Sequence, residues 1–200
     1  ISLCNSKTGK SEDFYVMHDN GDTVEAFAKY NVNTTSNLQE ERATRVKFAN
    51  NDESNKNSDC TGTTCYYGYW TDNTSDHNLL SKYGTSYPVY VFDSNSNLYS
   101  PLNNYETYLK STLGKSSVTT KLITYEDLID LGCNSDDNTC ASAPDWLFDS
   151  KYWTGSAYNN NKLWRVTSTS SSKDISYTSF NNLKVGLGLR PVITIKKSEL

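Results

Sequence analysis

The sequence predicts an α+β domain, and three observations predict it. Short apolar or β-branched runs lie between Gly, Asn and Asp residues. The clearest are Phe14-Tyr15-Val16-Met17, Tyr87-Pro88-Val89-Tyr90-Val91-Phe92 and the segment from Leu187 to Ile195, which reads as buried strand. Two other segments carry helical spacing, one through Leu102, Tyr105, Tyr108 or Leu109 and Leu113, the other through Leu128, Ile129 and Leu131. The third observation is size. A chain of 200 residues fits one domain spanning 1–200, and its 36% hydrophobic content is offset by fifteen Tyr, six Phe and four Trp, whose rings bury much area per residue.

The elements follow in chain order. Asp19-Asn20-Gly21-Asp22 separates two apolar runs, and Asn-Gly tolerates the positive φ of a tight turn, so residues 13–31 read as an N-terminal β-hairpin. Residues 31–37 read as loop. Residues 38–49 read as a short helix or an irregular segment ending in a strand around Val46-Lys47-Phe48, and residues 50–59 as a surface loop. Tyr66-Tyr67-Gly68-Tyr69-Trp70 is either a stacking platform or core beneath a cysteine loop, with core the favoured reading. The first helix is expected to end at Gly114. Lys121-Leu122-Ile123 is a short apolar stretch. Thr124-Tyr125-Glu126-Asp127 has the form of a capping box with Asp in place of the usual Glu, so Thr124 begins the second helix and Gly132 closes it.

Charge and cysteine usage exclude several function classes. The formal net charge is only −4 with no run of Lys and Arg, which argues against a nucleic-acid partner. No apolar run approaches the roughly 18 residues of a membrane span. The chain begins at Ile1 and not Met, so an N-terminal signal or anchor removed by processing is expected, and membrane association only through that missing segment. Cys60 and Cys65, and Cys133 and Cys140, each bracket a short polar turn that can close as a local disulfide. Neither pair has the tight two-residue spacing of a zinc knuckle, and His18 and His77 add no ligand pattern, so disulfides lead over free thiols and zinc trails. Cys4 is left over and expected to be free. Paired cysteines favour an exported protein.

Catalytic chemistry is hard to assemble. Two histidines in loop-like surroundings give no Ser-His-Asp arrangement. Asp145 with Asp149, or Asp136 with Asp137, are nominal glycosidase pairs, but both fall in polar turns where Asp is ordinarily structural. Gly186-Leu187-Gly188 precedes a strand and opens no phosphate-binding helix. The Asp-rich tracts 72–76 and 136–138 are calcium candidates without the ligand spacing of a known loop, so no cofactor is expected beyond a possible calcium ion. Arg190 can bind an anion or fix a strand end through backbone carbonyls or a carboxylate, and the structural role is favoured; Pro191 beside it implies a sheet edge or a strand start.

Residues 150–182 contain Ser, Thr, Asn or Tyr at 20 of 33 positions, against 65 of the other 167, and this dense neutral polarity is interrupted by Tyr152-Trp153 and Leu163-Trp164-Arg165-Val166. Tyr152-Trp153-Thr154-Gly155-Ser156, Leu163-Trp164-Arg165-Val166 and Gly188-Leu189-Arg190-Pro191-Val192 together resemble the C-terminal half of bacterial C-type-lectin-like domains, the fold shared with formylglycine-generating enzymes. The resemblance is good over residues 122–200 and loose over the first hundred. It implies a C-type-lectin-like fold with two helices and a small antiparallel sheet formed by these three strands, about 85–200 in extent, with the N-terminal hairpin as an extra. The chain also resembles pilin-linked surface proteins of gut Firmicutes and their phages, and variable proteins of diversity-generating retroelements, whose solvent-facing positions are rich in Asn, Ser, Thr, Tyr and Asp. No Glu-Pro-Asn, Gln-Pro-Asp or Trp-Asn-Asp triplet is present, so calcium-dependent sugar binding is not implied.

The expectation is therefore a non-enzymatic binding module or adhesin at the bacterial or phage surface, with a protein or glycan partner outside the cell. A structural minor pilin or appendage-tip subunit is the second reading, and a degenerate enzyme of the formylglycine-generating kind the third. The expected contact residues are Thr154, Ser156, Tyr158, Asn159, Asn160, Asn161, Lys162, Arg165, Thr167, Ser176, Tyr177, Asn181 and Asn182, a mixture of rigid rings and adaptable hydrogen-bonding groups. Tyr152, Trp153, Trp164, Val166 and residues 192–195 are the expected scaffold.

Overall fold

The N-terminal hairpin forms where Asn20-Gly21 predicts it. Gly21 takes φ +78° and its N–H donates to Asp19 Oδ1 at 3.1 Å, turning β2 (Lys10–Asp19) into β3 (Thr23–Ala28). The computed structural model describes residues 1–43, 45–46, 92, 96–159, 162–167, 169–179 and 186–200. The hairpin is no marginal extra. β3 pairs along its length with β10 (Pro191–Lys196), from Val192 opposite Phe27 to Lys196 opposite Thr23. With β1 (Ser2–Asn5) outside β2 and β6 (Thr119–Leu122) outside β10, the order of this antiparallel sheet is β1-β2-β3-β10-β6. Pro191 opens β10 in the sheet interior, the strand-start position and not the edge.

Side chains alternate across this sheet, and each face builds its own core. Phe14, Val24, Ala26, Ala28, Ile193 and Ile195 join one cluster with Leu102, Tyr105 and Leu109 of α1 (Tyr99–Ser111). The buried positions of α1 fall at helical spacing, and beyond its end Gly114 takes φ +72°, as read from the sequence. Phe27 and Val192 point the other way, into a second cluster with Leu128 of α2 (Tyr125–Asp130) and with Leu147 and Phe148 of a 3-10 turn, Asp145–Phe148. The capping box of α2 is complete: Asp127 N donates to Thr124 Oγ1 at 3.2 Å, and Thr124 N donates to Asp127 Oδ2 at 2.8 Å.

A second sheet carries β7 (Tyr152–Asn159), β8 (Lys162–Val166) and β9 (Ile175–Ser179), in that order and antiparallel. This corrects the expected sheet of three apolar ribbons. The Leu187–Ile195 ribbon lies in the five-stranded sheet and meets β7 through Gly188, which bridges Tyr152 and accepts from Trp153 N at 3.2 Å. The third strand is instead the polar Ile-Ser-Tyr-Thr-Ser segment.

Two further expectations change. In place of the loop expected at 31–37 and the start of the short helix or irregular segment expected at 38–49, β4 (Asn31–Asn33) and β5 (Leu38–Glu40) pair as a small ribbon. Three-residue strands are too short for a periodic signal, and tertiary bonds decide them. Gln39 Oε1 accepts from Tyr30 N at 2.9 Å while its Nε2 donates to the Tyr105 hydroxyl at 2.9 Å. Of the strand expected around Val46-Lys47-Phe48, Val46 forms an isolated bridge to Leu187, and Lys47 and Phe48 lie outside the described residues. Cys133 and Cys140 are disulfide-bonded, and Cys4 is free and exposed. The Cys60–Cys65 pair, the Tyr66–Trp70 aromatic cluster, the 50–59 loop and all but Phe92 of the strand expected at 87–92 lie outside the described residues.

Candidate functional site

The register of the second sheet sorts the expected contact residues. Trp164 lies opposite Tyr177 and Val166 opposite Ile175, so these share one face; Arg165 opposite Ser176 and Leu163 opposite Thr178 share the other. The sequence treats them as a single surface, but the pleat divides them. Both faces also hold core: Trp164, Val166 and Ile175 enter the cluster around α2, while Trp153 and Leu163 enter the cluster around α1.

Thr154 and Ser156, expected as ligand contacts, are buried. The pairing of β7 with β8 shifts between Trp153 and Ala157, and this irregularity costs ladder bonds. Thr154 replaces one, donating from Oγ1 to Trp164 O at 2.8 Å and accepting from Ser156 N at 3.3 Å. Ser156 Oγ accepts from Tyr125 N at 2.9 Å, satisfying a first-turn donor of α2 and tying that helix to β7. Both hydroxyls therefore serve the fold, for buried polar groups need partners.

On the α1-cluster face, Arg165, Thr167 and Ser176 come together, all half-buried. Arg165 Nε donates to Ser176 Oγ at 3.3 Å, and Thr167 and Ser176 share a hydrogen bond at 3.2 Å. Burial lowers the Arg165 pKa. Asn159 ends β7 paired with Lys162, which begins β8. Asn160, Asn161, Asn181 and Asn182 lie outside the described residues.

The α2-cluster face ends in four aromatic rings. Tyr158 and Tyr177 stack at 3.8 Å with 12° between planes. Trp164, only 5% exposed, meets both edge-on, at 5.0 Å from Tyr158 and 5.6 Å from Tyr177. Tyr125 stacks on Trp164 at 4.5 Å. Tyr158 and Tyr177 are 36% and 38% exposed, large rings held open to solvent on a rigid support. A hydrogen bond to Tyr177 raises the Tyr158 pKa. Burial, then the negative charges of Glu126 and Asp136, raise that of Tyr125. Sequence reading missed Tyr125, whose place follows from its position one residue after the N-cap of α2.

The remaining candidates read as structural. Arg190 is fully buried, as the strand-end reading expects: Nε donates to Ala28 O at 2.7 Å and Nη2 to Lys29 O at 3.0 Å, and the guanidinium lies 4.3 Å from the Phe27 ring centroid. Asp137, in one calcium candidate tract, accepts from Thr139 N at 3.0 Å and Thr139 Oγ1 at 2.8 Å, which lowers its pKa. Among the described residues, His18, Glu25 and Asp127 bring potential metal-ligand atoms within 4.8 Å of one another. The register shift between Val16 and His18 places His18 opposite Glu25. Lys121 Nζ already lies 2.7 Å from Glu25 and 3.2 Å from Asp127, so an ammonium group supplies the positive charge that this grouping needs.

No protein-family model, curated protein or solved structure matches the chain. The site is therefore interpreted from its own chemistry.

Proposed function

We propose that this chain is a C-type-lectin-like, non-enzymatic ligand-binding module, an adhesin or receptor-binding domain displayed outside a bacterial cell or on a phage. Three features support the lectin-like reading: the closing Arg190-Pro191 strand β10 paired with the hairpin strand β3, two helices among the described residues between them, and a separate three-stranded sheet bearing both tryptophan motifs. The Cys133–Cys140 disulfide supports an oxidising compartment.

The observation that carries the binding role is the exposed Tyr158–Tyr177 stack, seated on the buried Trp164. Rigid amphipathic rings give contact area at small entropic cost, and an isolated fold has no need to hold two of them in water. The test is a glycan and protein array probed with the intact chain and with the Tyr158→Ala/Tyr177→Ala variant. The reading expects a ligand that the wild type retains and the variant loses while its near-ultraviolet circular dichroism persists. Equal retention by both would reject it.

A further inference from the structure

His18, Glu25 and Asp127 come from three elements, and the fold brings them to one place. The register shift between Val16 and His18 sets His18 of β2 opposite Glu25 of β3, so both side chains leave the same face of the sheet. Glu25, two residues before Phe27, shares the face on which α2 packs. Asp127 arrives from the first turn of α2, its Oδ2 held at 2.8 Å by Thr124 N. Each of the three is half-buried, and one ligand atom of each lies within 4.8 Å of the other two. Lys121 Nζ stands between the carboxylates, 2.7 Å from Glu25 Oε1 and 3.2 Å from Asp127 Oδ2. That ammonium answers their charge but makes no bond to the imidazole. Among the described residues, neither ring nitrogen of His18 has a hydrogen-bond or ion-pair partner. One imidazole facing two carboxylates is a ligand set for a divalent ion more than a cradle for an ammonium group.

We infer that His18, Glu25 and Asp127 form a site for a zinc-class divalent cation, with Lys121 as the group that the ion displaces. A nitrogen ligand beside two carboxylates suits zinc, whereas calcium calls for about six to eight oxygens. An ammonium keeps its acceptors at hydrogen-bonding length; zinc draws nitrogen and oxygen ligands in to about 2.0–2.2 Å, so the cluster contracts when the ion enters. The bond from Thr124 N orients Asp127 for this role. The Lys121 side chain is 41% exposed and can carry its charge out into water. The ion fastens α2 to β2 and β3, and with it Tyr125, the helix residue stacked on Trp164. None of its ligands belongs to the Tyr158–Tyr177 stack, so the site stands or falls apart from the ligand-binding reading.

The experiment titrates zinc chloride, with calcium chloride as the control, into the intact chain after a chelator has stripped it of metal and been removed. Calorimetry gives affinity and stoichiometry, and NMR follows the His18 ring. Zinc is expected to bind saturably and to shift the His18 ring signals; calcium is expected to do neither. His18→Ala and Glu25→Gln should each weaken zinc binding by more than about tenfold. Lys121→Met should instead tighten it several-fold, because the competing ammonium is gone, and a gain of affinity is a result that misfolding does not imitate. Near-ultraviolet circular dichroism checks that each variant is folded. The inference is overturned if the wild type shows no saturable zinc binding, or if zinc binds and leaves the His18 ring unmoved. Lys121→Met binding zinc no more tightly than the wild type overturns it as well, and so does calcium binding as tight as that of zinc.

Discussion

Replacing Glu12 by Gln should flatten much of the pH dependence of stability. Glu12 lies on β2 with 5% of its surface exposed, where α1 and β5 close over the sheet. Its carboxyl accepts from Gln39 N at 3.2 Å and from the Tyr105 hydroxyl at 3.4 Å. Burial outweighs both bonds, and neighbouring Asp13 adds repulsion, so the pKa rises from 4.5 to about 7. A pKa higher in the folded state means that the native protein holds the proton more tightly. The associated stability is complete below about pH 4.5 and is lost as pH rises through about 7. At about 1.4 kcal/mol for each pH unit of displacement, the wild type should lose about 3 kcal/mol relative to Glu12→Gln between pH 4.5 and pH 8. Glutamine keeps an acceptor for Gln39 N and adds no charge. Urea denaturation of both proteins across this range measures the difference. Parallel stability curves would refute the reasoning.

Three further outcomes follow from the packing. Trp164→Ala should cost about 3–5 kcal/mol and also remove the support of Tyr158 and Tyr177, read by urea midpoints and by loss of their ring-current shifts in NMR. A methyl group at Gly188 would lie 2.1 Å from Asn31 Cγ, so Gly188→Ala should destabilise by about 1–3 kcal/mol. That cost should be smaller in an Asn31→Ala background, a comparison made by a double-mutant cycle. Thr124→Ala should cost about 1 kcal/mol and increase amide exchange in the first turn of α2, because Asp127 N loses its acceptor.

What could be read from the sequence was what short-range chemistry decides. Gly21 specifies its turn because few residues other than glycine accept its φ of +78°. Thr124 and Asp127 specify their box because the two groups are three residues apart. Arg190 could be read as fixing a strand end through a carboxylate or backbone carbonyls, though not as bonding Ala28 and Lys29, which the fold brings from 162 and 161 positions away. Strand β9 escaped because Ser176, Tyr177 and Thr178 form a strand only when β8 offers a ladder. Composition alone read Ser176 and Tyr177 as polar contact residues and not as a strand. Thr154 and Ser156 misled for the opposite reason. Their hydroxyls are polar in any sequence count, yet an irregular strand and a helix terminus consume them inside. The division of the candidate surface into two faces followed from register, which residue types do not encode when neutral polar residues occupy both sides.

The central proposal is that the Tyr158–Tyr177 stack on its Trp164 support meets the ligand. It is tested most directly by comparing the affinity of Tyr158→Ser/Tyr177→Ser and of Arg165→Gln/Ser176→Ala for one array-selected ligand, at matched thermal stability. Loss of binding in the first pair with affinity intact in the second is the predicted result; the reverse pattern would contradict the account.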